Sequence, residues 1–210
     1  CTNLDGDPPL MTHLANADDL DDDYTLTQLQ RFQDVRDQLP GDVSIANSAG
    51  ILGWPGSHAH WQRPGIMLYG ASPLTGRKAS ELNLQPVMTF SARLIAIRQV
   101  KAGEPVGYGG TWRAPEDMPV GVLAVGYGDG YPREMPAGTP VLMNGKRVPL
   151  VGRVSMDTST LDLRGIPEAR VGDTAVLWGE GLPADEIAGA AGTIAYTLFC
   201  GITARVRFTT

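Results

Sequence analysis

The sequence predicts an α/β segment followed by a mostly-β domain, and three observations carry that reading. Across residues 1–75 short apolar strands alternate with helical stretches. Between residues 76 and 86 the chain turns polar and apolar periodicity is lost. From residue 87 to 210 short β-rich runs are punctuated by Gly and Pro. Strand–helix–strand order implies parallel strands with helices outside, as in an α/β barrel or a doubly wound sheet. Short strands separated by turn residues imply a small barrel or a sandwich. With 210 residues and 42% hydrophobic content, the chain can bury the core that such a fold needs.

Leu10-Met11-Thr12-His13-Leu14 is the first run of strand length. Leu26, Leu29, Phe32, Val35 and Leu39 then recur at helical spacing, which predicts a helix from about Asp23 to Leu39 with one apolar stripe. Val43–Ala46 and Gly65–Tyr69 read as two further strands with a short helix between them. Ser72–Gln85 holds Pro, Gly, Arg and Lys and reads as a linker. Strands are then expected at Met88–Val100, Val120–Val125, Val141–Met143, Val148–Val154, Thr160–Leu163 and Thr174–Trp178. Asn144-Gly145 between two of them predicts a hairpin, because both central residues of that turn want positive φ. Pro183–Ala191 and Ile194–Phe199 read as helices, and Arg205–Phe208 as a last strand.

Lys and Arg total 17 against 23 Asp and Glu, a formal net charge of −6. Such a balance argues against a nucleic acid or other polyanion as partner, since those need clustered cations. No apolar run approaches the roughly 20 residues of a membrane span, and no basic start precedes an apolar stretch. A soluble, cytoplasmic protein that handles small molecules is expected, with no membrane partner. Cys1 and Cys200 are too few for a disulfide framework or a thiolate metal site and read as ordinary thiols. A first residue of Cys rather than Met suggests a chain that is processed, cut or incompletely recorded. Asp18, Asp19, Asp21, Asp22 and Asp23 could offer hard oxygen ligands to a divalent cation, but they precede a helix, where carboxylates cap free N–H groups. His58 and His60 have no further close ligand to complete a zinc site. No metal is expected.

Four short strings carry chemistry. Asn47-Ser48-Ala49-Gly50 ends a strand with a hydroxyl and an approachable backbone, which suits a phosphate and equally an ordinary turn. Arg63-Pro64-Gly65-Ile66-Met67-Leu68-Tyr69-Gly70 sets an arginine before Pro-Gly, where the Gly65 and Ile66 N–H groups could meet an anion. Val125-Gly126-Tyr127-Gly128-Asp129-Gly130-Tyr131-Pro132-Arg133 sets a tyrosine among glycines, and Gly152-Arg153-Val154-Ser155-Met156-Asp157 ends a strand in Met-Asp. Together these strings resemble alanine racemase, and the resemblance runs from about Leu10 to the C-terminus.

The resemblance implies a fold, the last part of an α/β barrel of the TIM type followed by a mostly-β C-terminal domain. It implies an activity as well, the interconversion of L-alanine and D-alanine with pyridoxal 5′-phosphate (PLP), which supplies D-alanine for peptidoglycan. In the family pattern Ser48, Gly65, Ile66 and Tyr196 match residues that hold the cofactor phosphate, and Arg63 matches the arginine facing the pyridine nitrogen. Arg stays protonated at every relevant pH, so it leaves that nitrogen neutral. Racemisation needs one group to remove the Cα proton and another to deliver one from the opposite side. By resemblance these are a cofactor-binding lysine and Tyr127. A free tyrosine titrates near pH ~10, so Tyr127 needs positive neighbours. His13 matches a histidine that bonds both this tyrosine and the pyridine-facing arginine, which would join the three in one network; without the resemblance His13 reads as a core histidine. The Met156 N–H matches the group that holds the substrate carboxylate, and Asp157 matches a residue close by. Tyr108-Gly109 also fits the family and is given a structural role.

In the family the tyrosine and the Met-Asp loop enter the partner subunit's site, which implies a homodimer with shared active sites. The cofactor lysine is the missing part. Lys78, Lys101 and Lys146 lie in a linker, a strand-edge turn and a hairpin, and the family's lysine belongs to a region before Cys1. The isolated chain is therefore expected to be inactive. A non-catalytic remnant or dimerisation fragment, and a racemase of broader amino-acid specificity, are the other readings.

Overall fold

Val43 and Ile45 alternate with Ser44, so they share one strand face, and Ala46 beside Ile45 is buried on the other. In the structure, a computed structural model that describes residues 7–209, the chain divides into two units, Cys1–Gln85 and Pro86–Thr210. The first contains β1 (Leu10–Met11), α1 (Tyr24–Arg36), β2 (Val43–Asn47), α2 (Ser48–Gly53) and β3 (Trp61–Arg63). Its three strands pair in parallel in the order β1-β2-β3. Leu14, Ala17, Val43, Ile45, Ala49 and Leu74 form its buried core, against which Leu29 and Phe32 of α1 pack. Each Leu, Val or Ile side chain among these contributes roughly 1.5–3 kcal/mol when fully buried.

Two expectations for this unit need correction. The predicted α1 stripe is narrower than its spacing suggested, since Leu26, Val35 and Leu39 are exposed and the buried helix residue is Thr25. Gly65–Tyr69 is no strand: Ile66–Tyr69 forms one turn of 3-10 helix. Pairing to β2 stops at Arg63, and Pro64 has no N–H with which to continue a ladder. Only Ile66 of the apolar run is buried, while Leu68 and Tyr69 stay exposed. Within the segment read as a linker, Ala79–Leu82 forms another 3-10 turn.

The second unit contains β4 (Phe90–Val100), β5 (Pro105–Val106), β6 (Trp112–Arg113), β7 (Met118–Leu123), β8 (Pro140–Met143), β9 (Lys146–Val151), β10 (Ser159–Asp162), β11 (Thr174–Trp178), α3 (Ala184–Ala190) and α4 (Ala195–Gly201). Six strands close into an antiparallel barrel in the order β10-β7-β4-β11-β8-β9. Of the two arrangements left open by the sequence, the barrel is the one formed, and closure removes the free edges a sandwich would keep. Leu94, Leu123, Val141, Met143, Leu150, Leu161 and Leu177 fill it at essentially zero exposure, while Met118 packs with Val106, Ala114, Val120 and Val151 in a separate cluster. The Asn144-Gly145 hairpin forms as expected, with φ of 50° and 73° and Met143 opposite Lys146. The expected last strand does not. Val206 N–H instead turns back to the Thr203 carbonyl at 3.1 Å, and Arg205 forms ion pairs with Asp129 and Asp157 rather than a ladder.

Candidate active site

In the first unit the candidate residues gather where β2 and β3 end. Asn47 caps α2, its side-chain oxygen accepting the Gly50 N–H at 2.9 Å, so the Asn-Ser-Ala-Gly string is a helix start. The next residue, Ser48, is 1% exposed. Its Oγ accepts N–H groups from Gly65 at 2.8 Å and Met67 at 3.4 Å. A hydroxyl also carries one proton to donate, and no acceptor takes it among the described residues. The Ile66 N–H opens the 3-10 turn, where a helix leaves its first donors unsatisfied. At Gly65 an added Cβ would meet nothing nearer than Ser48 Oγ at 3.9 Å. That backbone is open to a ligand, whereas Gly50 packs against Ser57, Leu14 and Ala46 and serves the core.

Arg63 lies beside Asn47 in the β2–β3 register. Its Nη1 donates to Ser44 Oγ at 2.5 Å, and its Nη2 to the carbonyls of Thr12 at 2.8 Å and Ile45 at 3.2 Å. A guanidinium has five N–H donors, so Nε–H and one Nη1–H have no partner among the described residues. The expected bond between Arg63 and His13 is not formed. The guanidinium is already engaged by strand-end carbonyls, and His13 is exposed, with only its backbone carbonyl bonded, by Gln28 at 2.6 Å. His58 and His60 bond backbone groups, Nε2 to the Ile51 carbonyl at 3.0 Å and Nδ1 to the Val43 N–H at 3.1 Å. In the acidic cluster Asp22 accepts the N–H of Tyr24 and the Asn16 side chain, in that order of effect, which holds its carboxyl below the usual carboxylate value. Among the described residues no group of three or more His, Cys, Asp or Glu is placed to hold a metal ion. Cys200 is a free, exposed thiol, while Cys1 lies outside the described residues.

In the second unit Tyr127 opens a 3-10 turn, Tyr127–Asp129. This turn is stitched to the β9–β10 loop: the Tyr127 N–H donates to the Ser155 carbonyl at 3.0 Å and the Gly128 N–H to the Met156 carbonyl at 2.8 Å. Gly126 permits the approach, since a Cβ there would run into both carbonyls. The side chains of Tyr127 and Met156 are 38% and 52% exposed, and the Met156 N–H has no acceptor among the described residues. Asp157 accepts from Arg205 Nη2 at 2.6 Å. Tyr196 is the second residue of α4, 44% exposed. Tyr108 sits in a 3-10 turn whose Gly107 packs against the Arg153 backbone.

The structure thus groups Ser48, Arg63, Gly65 and Ile66 on one unit and Tyr127, Met156 and Asp157 on the other. Sequence reasoning missed Ser44, Thr203 and Arg205. Thr203 Oγ1 donates to the Gly128 carbonyl at 2.8 Å, and Arg205 Nε lies 3.3 Å from Asp129 Oδ1. No local signal marks these residues, because their partners are distant in sequence.

Two family models match the chain: "Alanine racemase, N-terminal domain" over residues 9–73 and "Alanine racemase, C-terminal domain" over residues 87–210. An alanine racemase of Halorhodospira halophila is 58% identical over 197 residues, which is 94% of this chain and 54% of that protein. The biosynthetic alanine racemase of Pseudomonas aeruginosa superposes with a TM-score of 0.94 at 48% identity, covering 98% of this chain and 58% of that one. The Bartonella henselae alanine racemase, solved with covalently bound pyridoxal phosphate, superposes at 0.86 with 30% identity, covering 95% of this chain and 55% of that one. The chain spans about half the length of the relatives it matches.

Proposed function

The chain belongs to the alanine racemase family, and on that premise we propose that it supplies part of a PLP-dependent site interconverting L-alanine and D-alanine. The observation that carries the proposal is the pinning of the Tyr127 turn to the Met156 loop by two backbone hydrogen bonds. It sets a phenol and a free N–H on one frame, one able to exchange a proton and the other to bind a carboxylate.

The first unit fits the cofactor. Ser48 has a buried hydroxyl with an unspent proton, Ile66 an unspent N–H, and Gly65 an open backbone, which together suit a phosphate. Tyr196 would add a phenol to that phosphate. Arg63 has donors without a partner among the described residues, which would suit the pyridine nitrogen, and arginine would bond it without giving up a proton. When bound, PLP would supply the electron sink that weakens the substrate Cα–H bond. Arg63 would moderate that sink by leaving the ring nitrogen neutral. Tyr127 Oη would exchange the proton on one face of the substrate, and the Met156 N–H would hold its carboxylate, with Asp157 close by. His13, exposed here, would take the part of the family's histidine that bonds the tyrosine.

A second base is required on the opposite face. Lys101 and Lys146 are exposed and paired with Asp117 and Glu168, and Lys78 precedes a surface 3-10 turn. We assign the second base to a cofactor-binding lysine outside these 210 residues, on the remaining part of an α/β barrel of the TIM type. Tyr127 and Met156, side chains exposed on a rigid frame, suit presentation to a partner copy in a homodimer. A cytoplasmic role in supplying D-alanine to peptidoglycan follows from the same reading, and no helix among the described residues is long and apolar enough to cross a membrane. The test is to express the complete coding region that contains this sequence and follow L-alanine to D-alanine conversion with and without PLP. PLP-dependent conversion is expected; a folded protein that binds PLP without converting either enantiomer would overturn the assignment and favour a non-catalytic remnant.

A further inference from the structure

The turn bearing Tyr127 and the loop bearing Met156 and Asp157 share a third element, the segment after α4. Arg205 reaches both: Nη2 donates to Asp157 Oδ1 at 2.6 Å, and Nε faces Asp129 Oδ1 at 3.3 Å. The other oxygen of Asp129 accepts the Gly126 N–H at 2.9 Å. One guanidinium therefore bridges a carboxylate of the loop to a carboxylate that already fixes the turn. A Cβ on Gly128 would run into Arg205 Nη1, so the arginine lies directly against the turn. Thr203 adds two contacts from the same segment, Oγ1 to the Gly128 carbonyl at 2.8 Å and N–H to the Asp129 carbonyl at 3.3 Å.

We propose that Arg205 is a positioning residue, setting the distance between the Tyr127 phenol and the carboxylate-binding Met156–Asp157 loop. This rests on the racemase reading above. The planar fork of arginine serves two carboxylates at fixed angles, which a lysine ammonium does not reproduce. The hydrogen bond that Arg205 donates to Asp157, followed by the charge of Asp129, raises the arginine's pKa above its ordinary value, so the tether is charged throughout the working pH range. Arg205 is half exposed, and exposed ion pairs contribute little to global stability. Its consequence is local geometry, to which proton transfer and substrate orientation are both sensitive.

The test is Arg205→Gln in the complete protein, read by steady-state kinetics with L-alanine and by hydrogen exchange of peptides covering residues 126–130 and 152–158. The expected result is a KM raised about tenfold with kcat also lowered, together with faster exchange confined to those two peptides. Arg205→Lys should recover only part of the KM. A KM within about twofold of wild type overturns the proposal, and so does exchange that is unchanged or accelerated across the whole barrel, the latter marking a structural role. A wild-type protein without racemase activity would sink the functional reading, while the exchange measurement would still report whether Arg205 joins the two loops.

Discussion

The two candidate half-sites are held in opposite ways. In the first unit the side chains themselves are engaged: Ser48 is 1% exposed and accepts two N–H groups, and Arg63 spends three donors on Ser44, Thr12 and Ile45. In the second the side chains of Tyr127, Met156 and Asp157 stand exposed, and the backbone beneath them carries the bonds. The first arrangement suits a group held through every turnover, the second a substrate that must enter and leave. Deleting a side chain in the first unit removes structural hydrogen bonds along with any proposed ligand contact, whereas in the second a side chain can be deleted while its frame remains.

The sharpest way to break the contrast is to attack the frame of the second unit. Gly126→Ala places a Cβ against the Ser155 and Met156 carbonyls. In the complete protein it should lower kcat/KM by about 100-fold or more, because displacement of about 1 Å costs that much, while PLP absorbance stays at the wild-type level. Ser48→Ala tests the first unit. It leaves the Gly65 and Met67 N–H groups without their acceptor, which should cost about 1–3 kcal/mol in denaturant unfolding and weaken PLP in an absorbance titration. A loss of PLP affinity without loss of stability would show that the two half-sites are not held differently after all.

A smaller effect is expected at Tyr131, two residues beyond the Tyr127 turn. It is fully buried against Trp178, with ring centroids 6.2 Å apart, and its hydroxyl has no hydrogen-bond partner among the described residues. Burial pushes the phenol well above its ordinary value. The sign follows from linkage: above about pH 10 the unfolded state loses a proton that the folded state keeps, so stability falls with rising pH. Tyr131→Phe should flatten that alkaline limb in pH-dependent unfolding and leave stability at pH ~7 unchanged or up to about 1 kcal/mol higher, since no bond is lost.

The β unit was legible because its signals are local. Alternation, Gly and Pro punctuation and Asn144-Gly145 each act within a few residues, and the hairpin formed as read. Closure into a barrel was not legible, because pairing β10 with β7 joins Ser159 to Leu123 across a separation that no local pattern encodes. The Arg63–Gly70 string was recognisable as a motif, yet its Gly65–Tyr69 part was misread as a strand, since apolar content suggests one and Pro64 ends the strand that Arg63 closes. The cradle around Ser48 could be anticipated from the motif, but the acceptors that hold Arg63 could not: Thr12 lies in another strand's run and Ser44 carried no motif. Arg205 was hidden for a related reason. Arg-Val-Arg-Phe alternates like an edge strand, and only the fold brings Asp129 and Asp157 to it.

The most direct test of Tyr127 as one of two bases is Cα-hydrogen exchange in D2O, measured separately for L-alanine and D-alanine with Tyr127→Phe in the complete protein. One enantiomer should still exchange without inversion, the other should be silent, and PLP absorbance should match wild type. Wild-type exchange of both enantiomers, or loss of the PLP absorbance, would contradict the account.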